Sequence, residues 1–387
     1  MASIAQAMGS RVRVRQSANP DPYLYVIVAV LTLFGLVAIW SASGGGPITL
    51  GAPVTRQFIY AVFGAIAMIA ISNVNYRFLK SFAIPIYLIS VGLLLALPVI
   101  GTTITGSTRW IYIGPLSFQP SEIAKLAVVI ALAGFLSERH DQMDRIHNFI
   151  IAGLIVFIPF ALVYIQPDLG TAGAFVVIWL TMMIVSKTRL LYLVGLFLIS
   201  IPISLFAWEF LLQDYQRDRL LVSFDPYRDY FGAGFNIIQA QVTIGTSGWF
   251  GHGLSGGLQS EYEFLRVQET DFIFAHAMSM FGFVGGLALF VVLLMMFHRM
   301  TRAIGMARDT FGQYVATGIT AVMVFQTFVN IGMNLGLMPV TGIPLPFVSL
   351  GGTALFTNLV AIGILQSVLI HRRVLAFQPQ SPGLRRI

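Results

Sequence analysis

The chain has 387 residues, 57% of them hydrophobic and only 10% charged, with a mean hydropathy of +0.81 and a net charge of +7. Such a chain cannot cover itself with a polar surface, so lipid is its solvent and a water-soluble globular fold is excluded. The absence of cysteine excludes disulfides, thiolate nucleophiles and Cys-based metal sites, and the six histidines show no metal-ligand spacing.

In chain order, residues 1–20 are polar and basic without an apolar core, which reads as a cytoplasmic tail rather than a cleaved signal peptide. Residues 21–373 then form one membrane domain, and 374–387 a second basic tail. A spanning helix needs about 20 mostly apolar residues. Ten such stretches are predicted, at 23–41, 57–72, 81–100, 121–136, 149–165, 171–186, 189–207, 271–297, 312–335 and 352–370. The predicted fold is therefore an all-α polytopic membrane protein of about ten transmembrane helices.

Basic residues set the orientation. Seven cations, Arg56, Arg109, Lys125, Arg217, Arg219, Arg228 and Arg266, fall on outer segments, which leaves sixteen of the 23 on inner ones. This bias puts both termini in the cytoplasm. It also explains the net charge without nucleic acid as a partner, because inner cations serve orientation and anionic lipid. The outer cations run against the bias and need another partner.

The outer segments carry the unusual residues. The loop at 101–120 holds Arg109, and Pro120 is suited to open the helix after it. Glu122 and Lys125 lie three apart on one helical face, where they can pair. Asp168 stands at a helix junction, where it also suits an N-cap. The segment 208–270 is 63 residues long, rich in glycine and aromatics, and includes an amphipathic helix at 236–244, so it is expected to be ordered. Asp271 ends that loop at the mouth of the next span, where a carboxylate must be solvated, paired or used. The last outer loop, 336–352, holds Pro339, Pro344 and Pro346 and reads as a broken segment, tolerable only where it packs on protein or lines a cavity.

One carboxylate among several cations beside an apolar wall suits a lipid-linked anion such as a polyprenyl diphosphate. Arg and Lys would hold phosphate oxygens and the Asp would act as a general base. Arg56, Arg109 and Lys125 are expected to gather around the outer mouth of that cavity. A transporter with midplane charges fits the same spacing nearly as well.

Several segments carry a resemblance: Arg109-Trp110-Ile111, Gln119-Pro120-Ser121-Glu122-Ile123-Ala124-Lys125, Gln166-Pro167-Asp168-Leu169-Gly170-Thr171, Thr270-Asp271-Phe272-Ile273-Phe274-Ala275 and Met338-Pro339-Val340-Thr341-Gly342. Together and in this order the chain resembles the SEDS family of bacterial peptidoglycan polymerases, its elongation members more than its division members. The resemblance implies a ten-helix glycosyltransferase that joins lipid II units on the outer face and releases undecaprenyl diphosphate. Asp271 would be the catalytic base. Arg56, Arg109 and Lys125 would neutralise the diphosphate, Glu122 would orient Lys125, and Asp168 would hold polar contacts in the cavity.

The family also implies a divalent cation, magnesium or manganese, on the diphosphate. A class B penicillin-binding protein would be the transpeptidase partner, alongside other membrane proteins of the elongation complex. Spans 312–335 and 352–370, with Gly318, Gly332, Ala354, Ala361 and Gly363, are expected to give that partner a lipid-facing contact. The chain departs from the family pattern at Met278-Ser279-Met280-Phe281-Gly282, where two carboxylates would be expected. The competing classes are a lipid II flippase or other transporter and a non-catalytic scaffold for a cell-wall transpeptidase.

Overall fold

The structure is a computed structural model and describes residues 13–15, 19–49, 51–104, 107–114, 116–210, 212, 214–230, 232–255, 257, 267–372 and 374–376. Arg266, counted above among the outer cations, lies outside the described residues.

Nine of the described helices are long and apolar enough to cross a membrane. They are α1 (Pro22–Ala42), α2 (Pro53–Asn73), α4 (Ala83–Ile100), α5 (Pro120–Glu138), α6 (Ile146–Ile165), α8 (Leu190–Phe210), α11 (Ile273–Met306), α12 (Thr310–Asn334) and α13 (Gly352–Ile370). A tenth, α7 (Leu169–Val185), has 17 residues, the short end of what spans a bilayer. All ten stand where hydropathy put them. Shorter α-helices among the described residues include α3 (Arg77–Ser81), α9 (Asp214–Phe224) and α10 (Ala233–Thr246). The last two lie in the long loop, and α10 contains the predicted amphipathic stretch at 236–244.

Local chemistry starts these helices. Asp21 caps α1 by accepting from the Tyr23 amide (3.0 Å), and Asp309 caps α12 through Gly312 (2.9 Å). Prolines 22, 53 and 120 occupy first-turn positions where no amide hydrogen is needed. Helix α11 does not end at 297 but runs on to Met306, because Arg299 and Arg302 extend it past the apolar stretch.

A strand β1 (Arg13–Arg15) pairs antiparallel with β5 (Val374–Ala376), so the two ends of the membrane domain share one face. Ion pairs line that face: Arg77–Asp309, Lys80–Glu138, Lys187–Asp141, Arg189–Asp144 and Arg299–Asp21. The exposed pairs among them, Lys187–Asp141 and Arg189–Asp144, contribute little to stability. The opposite face holds an element the all-helical expectation lacked. The loop after α4 folds into a three-stranded antiparallel sheet of β2 (Thr102–Ile104), β3 (Ser107–Ile113) and β4 (Leu116–Phe118).

The centre of the bundle is α12 and α13, with 78% and 83% of their spanning windows buried. The small residues expected to meet a partner are used here instead. A side chain at Gly363 would lie 2.7 Å from the Met68 carbonyl of α2, and one at Gly318 would lie 2.6 Å from Val129 of α5. Ala354 and Ala361 are buried as well. The lipid-facing role predicted for these small residues is therefore corrected: they let the bundle's own helices approach, as lipid-embedded packing requires. Outside this centre, α8 is exposed to lipid nearly all round.

Helix α11 is broken at Gly282, whose φ of 68° and ψ of −166° suit glycine alone. The turn at 248–252 fills the break: Phe283 N donates to Gly248 O (2.9 Å), Val284 N to Trp249 O (3.1 Å), and His252 N to Ser279 O (2.8 Å). Backbone groups freed at membrane depth are thus satisfied by protein. A Cβ on Gly251, itself at φ +73°, would lie 2.4 Å from the Met280 carbonyl. Gly251→Ala is expected to destabilise the protein by about 1–3 kcal/mol, read as a lower melting temperature in detergent. An unchanged melting temperature would mean that the break does not depend on this contact.

Candidate functional site

The site lies at the face opposite the chain ends, where the irregular segment 335–351 descends among the helices. This segment is buried at Ile343, Leu345, Phe347, Val348 and Ser349, as a non-helical stretch in a membrane must be. Gly35 of α1 gives it room, since a Cβ there would come within 2.7 Å of the Phe347 and Val348 carbonyls. Its polar groups are met in turn. Gln57 of α2 donates to Ser349 O (3.0 Å) and accepts from Gly351 N (3.1 Å). Leu350 N donates to Glu269 O (2.8 Å), and the Ser349 hydroxyl donates to Thr270 O (2.7 Å).

Those bonds fix the residues just before Asp271. Asn330 and Asn334, one turn apart on α12 and both 0% exposed, fix Asp271 itself. Each donates its side-chain amide to the Asp271 carbonyl, at 3.1 and 3.0 Å. Asn330 also donates to Ile343 O (2.8 Å), and Asn334 accepts from Ala275 N in the first turn of α11 (3.0 Å). The half-buried Asp271 carboxyl points toward Gly342, since Oδ2 would lie 3.8 Å from a Cβ built there. Its backbone is locked while its side chain borders the 336–352 loop.

Lys125 and Arg109 each stand beside an acid of their own. Lys125 Nζ donates to Glu122 Oε1 at 2.8 Å, with both side chains 5% exposed or less. The pair lines a cavity of about 20 Å³ shared with Thr357 and Asn358 of α13, room for one water. Glu122 Oε2 and Thr357 Oγ1 have no partner among the described residues.

Arg109, on β3, donates to the Gln166 carbonyl (2.9 Å) and the Pro167 carbonyl and reaches Asp168 Oδ2 at 3.8 Å. It thus grips the α6–α7 turn, while Asp168 caps α7 through Thr171 N (3.1 Å). The capping alternative for Asp168 is realised. Gly170, just beyond, packs on Thr341 and Ile343 of the loop. Arg56 of α2 is half-buried with a buried Nε that has no partner among the described residues, and its charge acts on Glu269.

Burial raises the Glu269 carboxyl above its ordinary value, against a hydrogen bond from Ser43 and the field of Arg56. A raised carboxyl favours the folded state while protonated. That contribution is full below the ordinary value of 4.5 and is lost as pH rises through the folded value. Glu269→Gln should therefore flatten the melting temperature against pH from 4.5 toward neutrality. A slope equal to wild type would assign the dependence to another group.

Asn330, Asn334, Gln57 and Ser349 were not among the predicted site residues. A signal was present: Thr317, Thr320, Thr327, Asn330 and Asn334 recur at helical spacing through a spanning segment and are all buried, a pattern that marks function inside a membrane. His276 links two segments, its Nε2 lying 3.0 Å from Ser41 Oγ. Among the described residues no group of three or more His, Asp or Glu could hold a metal ion.

Comparison with known proteins agrees with this architecture. The family model for the FtsW, RodA and SpoVE cell cycle proteins matches residues 22–374. The chain is 36% identical to the peptidoglycan glycosyltransferase MrdB of Escherichia coli K12, over 92% of this chain and 95% of that one. It is 35% identical to the stage V sporulation protein E of Bacillus subtilis, over 92% and 99%. Among solved structures, a chain of a peptidoglycan synthase complex that coordinates polymerization and crosslinking superposes with a TM-score of 0.77 at 29% identity, covering 91% of this chain and 97% of that one. The rod shape determining protein RodA of Thermus thermophilus gives 0.67 at 26%, covering 91% and 96%. The chain belongs to the SEDS family, the cell cycle proteins that include FtsW, RodA and SpoVE.

Proposed function

We propose that the chain is a peptidoglycan glycosyltransferase that joins lipid II units into glycan strands during cell elongation, on the outer face of the cytoplasmic membrane. The observation that carries this reading is the carboxyl of Asp271, whose backbone is held by Asn330 and Asn334 beside the 336–352 loop. The names of the relatives support the activity.

In this reading Asp271 takes the proton from the 4-hydroxyl of the acceptor sugar. The freed oxygen attacks the anomeric carbon of the growing strand. The bond from that carbon to the phosphate oxygen breaks, and undecaprenyl diphosphate leaves with the electron pair. Charge grows on the leaving diphosphate, so fixed cations stabilise the transition state more than the ground state. Arg56, which has no carboxylate within salt-bridge distance among the described residues, is the most available of them. Arg109 and Lys125 are partly neutralised by Asp168 and Glu122 and set the walls around the diphosphate. The strand product needs cross-linking, and a class B penicillin-binding protein is the partner this reading calls for; the relative solved within a peptidoglycan synthase complex supports it.

Reconstitution in liposomes with lipid II separates this reading from a transporter. Muramidase-sensitive strands are expected. Movement of lipid II between leaflets with no strand formed would establish the transport reading instead.

A further inference from the structure

A second polar cavity lies at the face of the chain ends, far along the bundle from Asp271. Its volume is about 210 Å³, and Asp21, Tyr23, Arg299, Arg302 and Arg372 line it, with Met306 and Leu369 as apolar wall. Three elements meet there: the start of α1, the end of α11 and the end of α13. Gln366 of α13 clamps the start of α1 in place, accepting from Asp21 N (2.9 Å) and donating to Asp21 O (2.8 Å). The rim is therefore fixed by half-buried bonds from the buried Gln366 rather than by loose side chains.

The charges do not balance. Asp21 Oδ2 lies 3.4 Å from Arg299, whose guanidinium also stacks over the Tyr23 ring at 4.4 Å, so this arginine is engaged. Arg302 and Arg372 have no carboxylate within salt-bridge distance among the described residues. Among the described residues Arg372 reaches the Met306 sulfur, at 3.0 Å, a weak acceptor. Three arginines against one aspartate leave two cations facing one small cavity, an arrangement that suits phosphate oxygens.

The surroundings say where that phosphate comes from. Tyr23, Val26, Val30 and Leu33 form an exposed apolar stripe along α1 that starts in the cavity. Val284, Leu287, Val291 and Met295 form another along α11, and Arg302 continues it two turns further on. Both stripes lead from the arginines toward hydrocarbon, and a soluble phosphate would make no use of them.

We propose that this cavity binds a phosphodiester, the headgroup of an anionic phospholipid whose acyl chains lie along α1 and α11. The test uses the full-length protein in a neutral detergent, with lipid binding followed by native mass spectrometry and by thermal shift. Phosphatidylglycerol should bind and stabilise, and phosphatidylcholine should not. Each arginine removed should weaken binding about fivefold, so Arg302→Gln with Arg372→Gln should weaken it roughly 25-fold. The Arg302→Lys, Arg372→Lys pair should keep most of it and shows that the fold tolerates change there. Equal phosphatidylglycerol binding by the Gln pair and wild type, or equal binding of phosphatidylcholine, would overturn the site. Inorganic phosphate binding as tightly as phosphatidylglycerol would overturn the lipid as its source.

Discussion

Asp271→Asn should lower the rate of glycan formation from lipid II by about 10²–10⁴-fold, the usual cost of losing a general base. The melting temperature should stay close to that of wild type. The reason for the second half lies in which atoms hold the residue. Asn330 and Asn334 bind the Asp271 carbonyl, and the preceding carbonyls of Glu269 and Thr270 are held by Leu350 and Ser349. An asparagine side chain leaves all of these bonds in place. A rate near that of wild type would remove Asp271 from the base role.

Lys125→Met should act on stability instead, and strongly. The Glu122–Lys125 pair is bonded at 2.8 Å with 3% and 5% of its side chains exposed. Removing one partner of such a pair costs about 3–5 kcal/mol, because a charge is left buried without compensation. Glu122→Gln should cost a similar amount. The double variant Glu122→Gln, Lys125→Met should recover much of the loss, since both charges are then gone. Denaturation of the four proteins in the same micelle measures this directly. Single variants as stable as wild type would show that water in the adjoining cavity solvates the pair well enough to make the partner dispensable.

Much of this architecture is legible in the residues. Ten spans follow from hydropathy, and Pro120, Asp168 and the proline-rich 336–352 segment announce a helix start, a cap and a broken stretch. What stayed hidden depends on contacts distant in the chain. The apolar run from Ile273 reads as one helix because nothing local breaks it; the break needs Gly282 and the 248–252 turn together. The sheet at 102–118 escaped because its strands are only three to seven residues long. Gly318, Gly363 and Ala361 were assigned to a partner because small residues mark close helix approach without saying which helix approaches. Asn330 and Asn334 belonged to a visible polar stripe, yet their role follows only from the fold that brings Asp271 beside them.

The most direct test of the account is a stoichiometric one. Purified protein is given lipid II, and released undecaprenyl diphosphate and new glycosidic bonds are counted in the same reaction. The account predicts one diphosphate released for each bond formed by the wild-type chain, and neither in the Asp271→Asn protein above about one hundredth of that rate. Bonds formed at the same rate without the Asp271 carboxylate, or lipid II taken up with no diphosphate released, would contradict it.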